Sequence, residues 1–134
     1  MRFLCIDLGD KRTGLAVCDG GEILASPLMV LEGQKNLQDE IVKIANEHQI
    51  EGLVFGLPLN MDGSEGERAA RTRDFAEKIK GKINLPIFFQ DERLSSYSAS
   101  QKLSRTGLTH KGKKDKIDAV AASEILKDFL AARK

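Results

Sequence analysis

The chain has 134 residues, which fits one domain with a sizeable hydrophobic core. With 41% hydrophobic and 31% charged residues it reads as a soluble globular protein, and no apolar run approaches the ~20 residues needed to span a membrane. A formal net charge of +1 excludes attraction to nucleic acid through bulk charge, so any such affinity must rest on local clusters.

Residues 3–8 read as a near-continuously apolar strand, central and covered on both faces. It ends on a carboxylate, Asp7, followed by a tight turn, two cations (Lys11 and Arg12) and Gly14. Residues 13–19 form a second strand, and Asp19-Gly20-Gly21 is a hairpin turn signal. A third strand, 22–31, contains Pro27, which removes a ladder donor and places the strand at a sheet edge. Cys5 and Cys18 lack the paired spacing of a zinc site and read as buried thiols. With no signal peptide evident, they point to the reducing cytoplasm.

Residues 35–49 carry Leu37, Ile41, Ile44, Ala45 and His48 at helical spacing, with Asn36 as N-cap. His48 has no second histidine or cysteine nearby and reads as a packed or half-exposed side chain. Residues 52–57 are a fourth, buried strand, running into a turn-rich loop. Ser64-x-x-Glu67 has the form of a capping box and starts a charged helix that runs to about residue 80. A fifth strand, 86–90, ends in Asp91-Glu92-Arg93. A helix over 96–103, a basic mobile loop over 105–114 and a last helix over 114–132 complete the chain.

The order β-β-β-α-β-α-β-α-α predicts an α/β fold: a mixed five-stranded sheet, three antiparallel strands and then βαβ crossovers, with helices on both faces. No repeat or linker divides the chain, so residues 1–134 read as a single domain.

Asp118, Ala121, Ala122, Ile125, Phe129 and Ala132 lie on one stripe of the last helix. Asp118 thus sits on the face that packs against the sheet. A carboxylate there must be protonated, hydrogen-bonded, paired or metal-bound. Asp115, at the start of that helix, is accounted for by the helix dipole alone. Asp7, the Asp91-Glu92 pair and Asp118 each stand where a buried element meets a loop. If these ends converge, the acids repel one another unless cations are bound, and hard oxygen ligands select Mg²⁺ or Mn²⁺. Two such ions about 4 Å apart activate a water and stabilise the leaving oxygen of a phosphodiester. The cations Lys11, Arg12, Arg105, Lys111, Lys113, Lys114 and Lys116 cluster near the same ends and suit a phosphate backbone. One tyrosine and no tryptophan argue against a platform for stacking several bases.

Four stretches together resemble the YqgF, or RuvX, family. They are Asp7-Leu8-Gly9-Asp10-Lys11-Arg12-Thr13-Gly14; Gly56-Leu57-Pro58 with Met61-Asp62-Gly63; Asp91-Glu92-Arg93-Leu94-Ser95; and Lys116-Ile117-Asp118 with Ala121-Ala122. The family has the ribonuclease H-like fold and is described both as Holliday junction resolvases and as pre-16S ribosomal RNA nucleases. The resemblance implies a Mg²⁺- or Mn²⁺-dependent endonuclease acting on the 5′ end of pre-16S rRNA. The alternatives are a resolvase of four-way DNA junctions, which would work as a homodimer, and a nucleic-acid-binding factor without catalysis. The implied catalytic and metal-binding acids are Asp7, Glu92 (or its neighbour Asp91) and Asp118. Lys11, Arg12, Arg93, Lys111, Lys113 and Lys114 are the implied substrate contacts. In related resolvases the second acid usually ends the fourth strand; here that strand ends in Gly56-Leu57-Pro58, so either the fifth-strand pair reaches across or the metal site is built differently.

Overall fold

A computed structural model describes residues 1–92 and 110–133, with side chains over 1–92 and 118–133. Five strands form one mixed sheet: β1 (Phe3–Leu8), β2 (Arg12–Cys18), β3 (Ala25–Glu32), β4 (Gly52–Leu57) and β5 (Ile87–Asp91). Their order across the sheet is β3-β2-β1-β4-β5. The first three strands are antiparallel, and β4 and β5 run parallel to β1. The helices are α1 (Leu37–Glu47), α2 (Glu67–Lys80) and α3 (His110–Arg133).

Strand alternation divides the core in two. Leu4, Ile6, Leu53 and Phe55 face α1 and α2, against Leu37, Ile41, Ile44, Ala76 and Ile79. Phe3, Cys5 and Val54 face the opposite way, against Ala122, Ile125, Leu126 and Phe129 of α3. The helices therefore cover both faces, as the unbroken apolar runs of β1 and β4 require. Each large side chain buried here contributes about 1.5–3 kcal/mol. Cys5 and Cys18 are free, buried thiols.

β3 is an edge strand, as Pro27 requires. Its register shifts where Leu15 pairs Met29 but Ala16 pairs Pro27, leaving Leu28 as the extra residue of a bulge. Other local expectations fail for identifiable reasons. Asn36 precedes α1 in the left-handed region (φ 58°) and makes no side-chain cap hydrogen bond. Ser64 does not cap α2. Its N–H and Oγ both donate to Asp62 Oδ1 (2.9 and 2.6 Å), and Asn60 Nδ2 donates to Ser64 Oγ at 3.0 Å. The nearer carboxylate wins this hydroxyl, so the segment closes as a loop with a bridge between Leu59 and Glu65, and α2 begins only at Glu67. The last helix begins at His110, which takes residues 110–114 out of the expected loop. The helix expected over 96–103 and residues 105–109 lie outside the described residues.

Candidate active site

β1, β4 and β5 are parallel, so their carboxyl ends share one edge of the sheet, where open α/β sheets present their ligand sites. Asp7 lies near the end of β1 and shares a face with Phe3 and Cys5, toward α3. Its partner across the ladder is Gly14 on β2. A Cβ at residue 14 would overlap the backbone carbonyl of Asp118. The missing side chain is what brings the α3 backbone down beside Asp7. Because α3 starts at His110, Asp118 stands more than two turns inside it, beyond the reach of the dipole effect at a helix end.

Glu92 follows β5 directly and is 8% exposed. Its carboxylate lies over Gly56 of β4: a Cβ there would stand 2.6 Å from Glu92 Oε2 and 2.8 Å from Ile125 Cδ1. The fourth strand thus carries no side chain at this position, and Glu92 occupies the space from the neighbouring strand.

Asp7, Glu92 and Asp118 line one cleft of about 380 Å³, together with Arg12, Arg68, Met61 and Pro58. Burial drives the Asp7 carboxyl well above its ordinary pKa of 3.8. The charge of Glu92, a hydrogen bond with it and the charge of Asp118 add to the rise, and Arg68 opposes them. Asp7 and Glu92 therefore act on one another across the same cleft. Glu92 Oε2 is buried, with no hydrogen-bond partner among the described residues. Asp118 instead accepts a hydrogen bond from Arg12 Nε at 3.1 Å, within a half-buried ion pair. Among the described residues no three potential ligands are gathered around one ion position. The donor chemistry nevertheless fits a hard divalent cation: a buried acid and a half-buried one repelling one another, one oxygen unsatisfied among the described residues, and a third carboxylate on the same cleft.

The structure brings together Asp7, Glu92, Asp118 and Arg12 from the expected set. Asp91 is half-buried at the end of β5, paired in register with Leu57, and it is Glu92 that lines the cleft. Lys11 is exposed and does not line the cleft. The side chains of Arg93, Lys111, Lys113 and Lys114 lie outside the described residues. Sequence reasoning passed over Arg68 and the spatial roles of Gly14 and Gly56. A glycine inside a fully buried strand is itself a signal of close approach, and Gly56 in Gly52–Leu57 is such a case.

The chain matches the family model described as "RuvX: Holliday junction resolvase" over residues 1–132. A protein of Paracoccus denitrificans named "Putative pre-16S rRNA nuclease" is 45% identical over 127 residues, 93% of this chain and 80% of its own length. One of the same name from Syntrophomonas wolfei is 38% identical over 132 residues, 97% of this chain and 94% of its own. Among solved structures, Thermus thermophilus RuvC in complex with a Holliday junction substrate superposes with a TM-score of 0.61 at 15% identity, covering 99% of this chain and 96% of that one. The Fowlpox virus resolvase bound to junction DNA gives 0.57 at 13% identity, covering 99% of each chain. At such identities these two likenesses concern the fold, which is the ribonuclease H-like fold of the resolvases. Matched along nearly its whole length, the chain belongs to the RuvX family of Holliday junction resolvases.

Proposed function

We propose that the protein is a metal-dependent endonuclease that cleaves phosphodiester bonds in processing the 5′ end of pre-16S rRNA, in the cytoplasm. The observation that carries this reading is the convergence of Asp7, Glu92 and Asp118 on one cleft beside two arginines. The names of the relatives at 38 and 45% identity favour ribosomal RNA as the substrate.

Asp7 and Glu92, with Asp118, would hold Mg²⁺ or Mn²⁺. Such an ion supplies Lewis-acid stabilisation of charge on the phosphate and acidifies a bound water. Burial and the charges of Glu92 and Asp118 favour the protonated form of Asp7, so it must lose that proton before it can serve as a ligand. Arg12 fixes the orientation of Asp118 through their ion pair. Burial of Glu92 and the walls formed by Pro58, Leu59 and Ala121 limit water around the acids, which strengthens every charge interaction there.

A second reading, resolution of Holliday junctions, is favoured by the family description and by the fold shared with a junction-bound RuvC. Cutting two strands requires two active sites and hence a homodimer. Cleavage assays in Mg²⁺ with a 5′-extended 16S precursor RNA and, separately, a four-way DNA junction distinguish the two. Cleavage of the RNA with the junction intact is the expected result, and the reverse pattern from a dimeric protein would replace the first reading with the second.

A further inference from the structure

A polyanionic strand entering this cleft meets three carboxylates, so it needs a cation that is not already engaged. Arg12, the first residue of β2, is held by Asp118. Arg68, in the first turn of α2, also lines the cleft, and its charge acts on Asp7. It is exposed, and among the described residues it makes no ion pair within 4.0 Å.

Arg68 also lines a second groove, of about 590 Å³, between the β1–β2 turn, α1 and α2. The other cations of that groove are matched with acids: Arg71 with Asp10 at 2.7 Å, Lys78 with Asp74 at 3.1 Å and Lys82 with Asp39 at 3.1 Å. Among the described residues, Arg68 alone is shared by both depressions as a guanidinium without an ion pair. Its planar fork suits the two non-bridging oxygens of a phosphate.

Resting on the nuclease reading above, we infer that Arg68 is the phosphate-gripping residue of the cleft. The strand carrying the scissile bond leaves the acids across Arg68 and enters the neighbouring groove. Arg12 is then a positioning residue for Asp118, and Arg68 makes the contact to substrate.

The test uses a fluorescein-labelled single-stranded RNA spanning the 5′ end of mature 16S rRNA and its leader. Binding is measured across a salt series for the full chain, Arg68→Ala, Arg68→Lys and Lys127→Ala, an exposed lysine that lines neither depression. Arg68→Ala should weaken binding about tenfold, the weight of one charge-assisted phosphate contact. It should also flatten the slope of log affinity against log salt by about 0.7, one phosphate's worth for a single strand. Arg68→Lys should keep the slope and lose part of the affinity, and Lys127→Ala should match the parent. A merely structural role for Arg68 would leave the slope unchanged. An Arg68→Ala protein with the parent's slope and affinity overturns the inference even if the parent cleaves the RNA. A parent that binds the RNA without cutting it, while Arg68→Ala flattens the slope, overturns the nuclease reading and leaves the phosphate contact standing.

Discussion

The backbone carbonyl of Asp118 lies against the α-carbon of Gly14, the residue directly across the β1–β2 ladder from Asp7. This single approach joins the first two strands to the last helix at the acids. Because the obstacle to any side chain is backbone, no rotamer change relieves it. Gly14→Ala should push α3 away from β2 and cost about 1–3 kcal/mol, the usual range for overpacking. Thermal unfolding measures that loss. Cleavage by the variant at a temperature where it is folded should fall at least tenfold, because Asp118 moves off the cleft.

Gly56 plays the matching part on β4. Its added methyl would meet Glu92 Oε2 and Ile125 Cδ1 together. Both obstacles are side-chain ends, so Gly56→Ala should fold with a smaller loss than Gly14→Ala while displacing the Glu92 carboxylate. Calorimetric titration with Mn²⁺ should show weakened binding. Unaltered Mn²⁺ affinity would separate Glu92 from the metal-binding set.

The raised pKa of Asp7 makes stability and cation binding depend on pH in a definite direction. A carboxyl whose folded pKa lies above its unfolded value adds stability that is fully present below the ordinary 3.8 and is lost as pH rises through the raised value. Without divalent metal, the melting temperature should therefore fall as pH increases across that window. Glu22 works in the opposite sense. Arg133 foremost, with the chain's amino group, holds its pKa down to about 2, so its contribution is present above 4.5 and fades as pH drops toward 2. The two effects separate on the pH axis. Since a cation competes with the proton on Asp7, Mg²⁺ should raise the melting temperature more at pH 8 than at pH 5. A Mg²⁺ effect that is larger at pH 5 would contradict this.

Much of the architecture was legible from apolar patterning. The buried run of β4 and the meander of the first three strands follow from periods that elementary packing dictates. Asp118 was legible because it interrupts an apolar stripe; of that stripe, Ala121, Ala122, Ile125 and Phe129 are buried while Ala132 is exposed at the helix end. The misreadings came where a short-range competitor decided the outcome. Asp62 took the Ser64 hydroxyl, and Asn36 adopted a left-handed backbone instead of capping through its side chain. The arginine roles were hidden for a different reason. Nothing local says that Arg12 turns to a residue 106 positions away, or that Arg68 of a surface helix overhangs the end of β1. Those are facts of tertiary placement, carried by the glycines that let the elements approach.

The most direct test of the account is Asp7→Asn, a near-isosteric change that removes one carboxylate and leaves β1 and its pairing in place. Single-turnover cleavage of the 5′-extended 16S precursor in Mg²⁺ should fall by at least about a hundredfold, in the range expected for loss of a catalytic group. RNA affinity measured in parallel without metal should change less than about threefold, since Arg68 and the other cations remain. Cleavage by Asp7→Asn at the rate of the parent would contradict the assignment of this cleft as the catalytic centre.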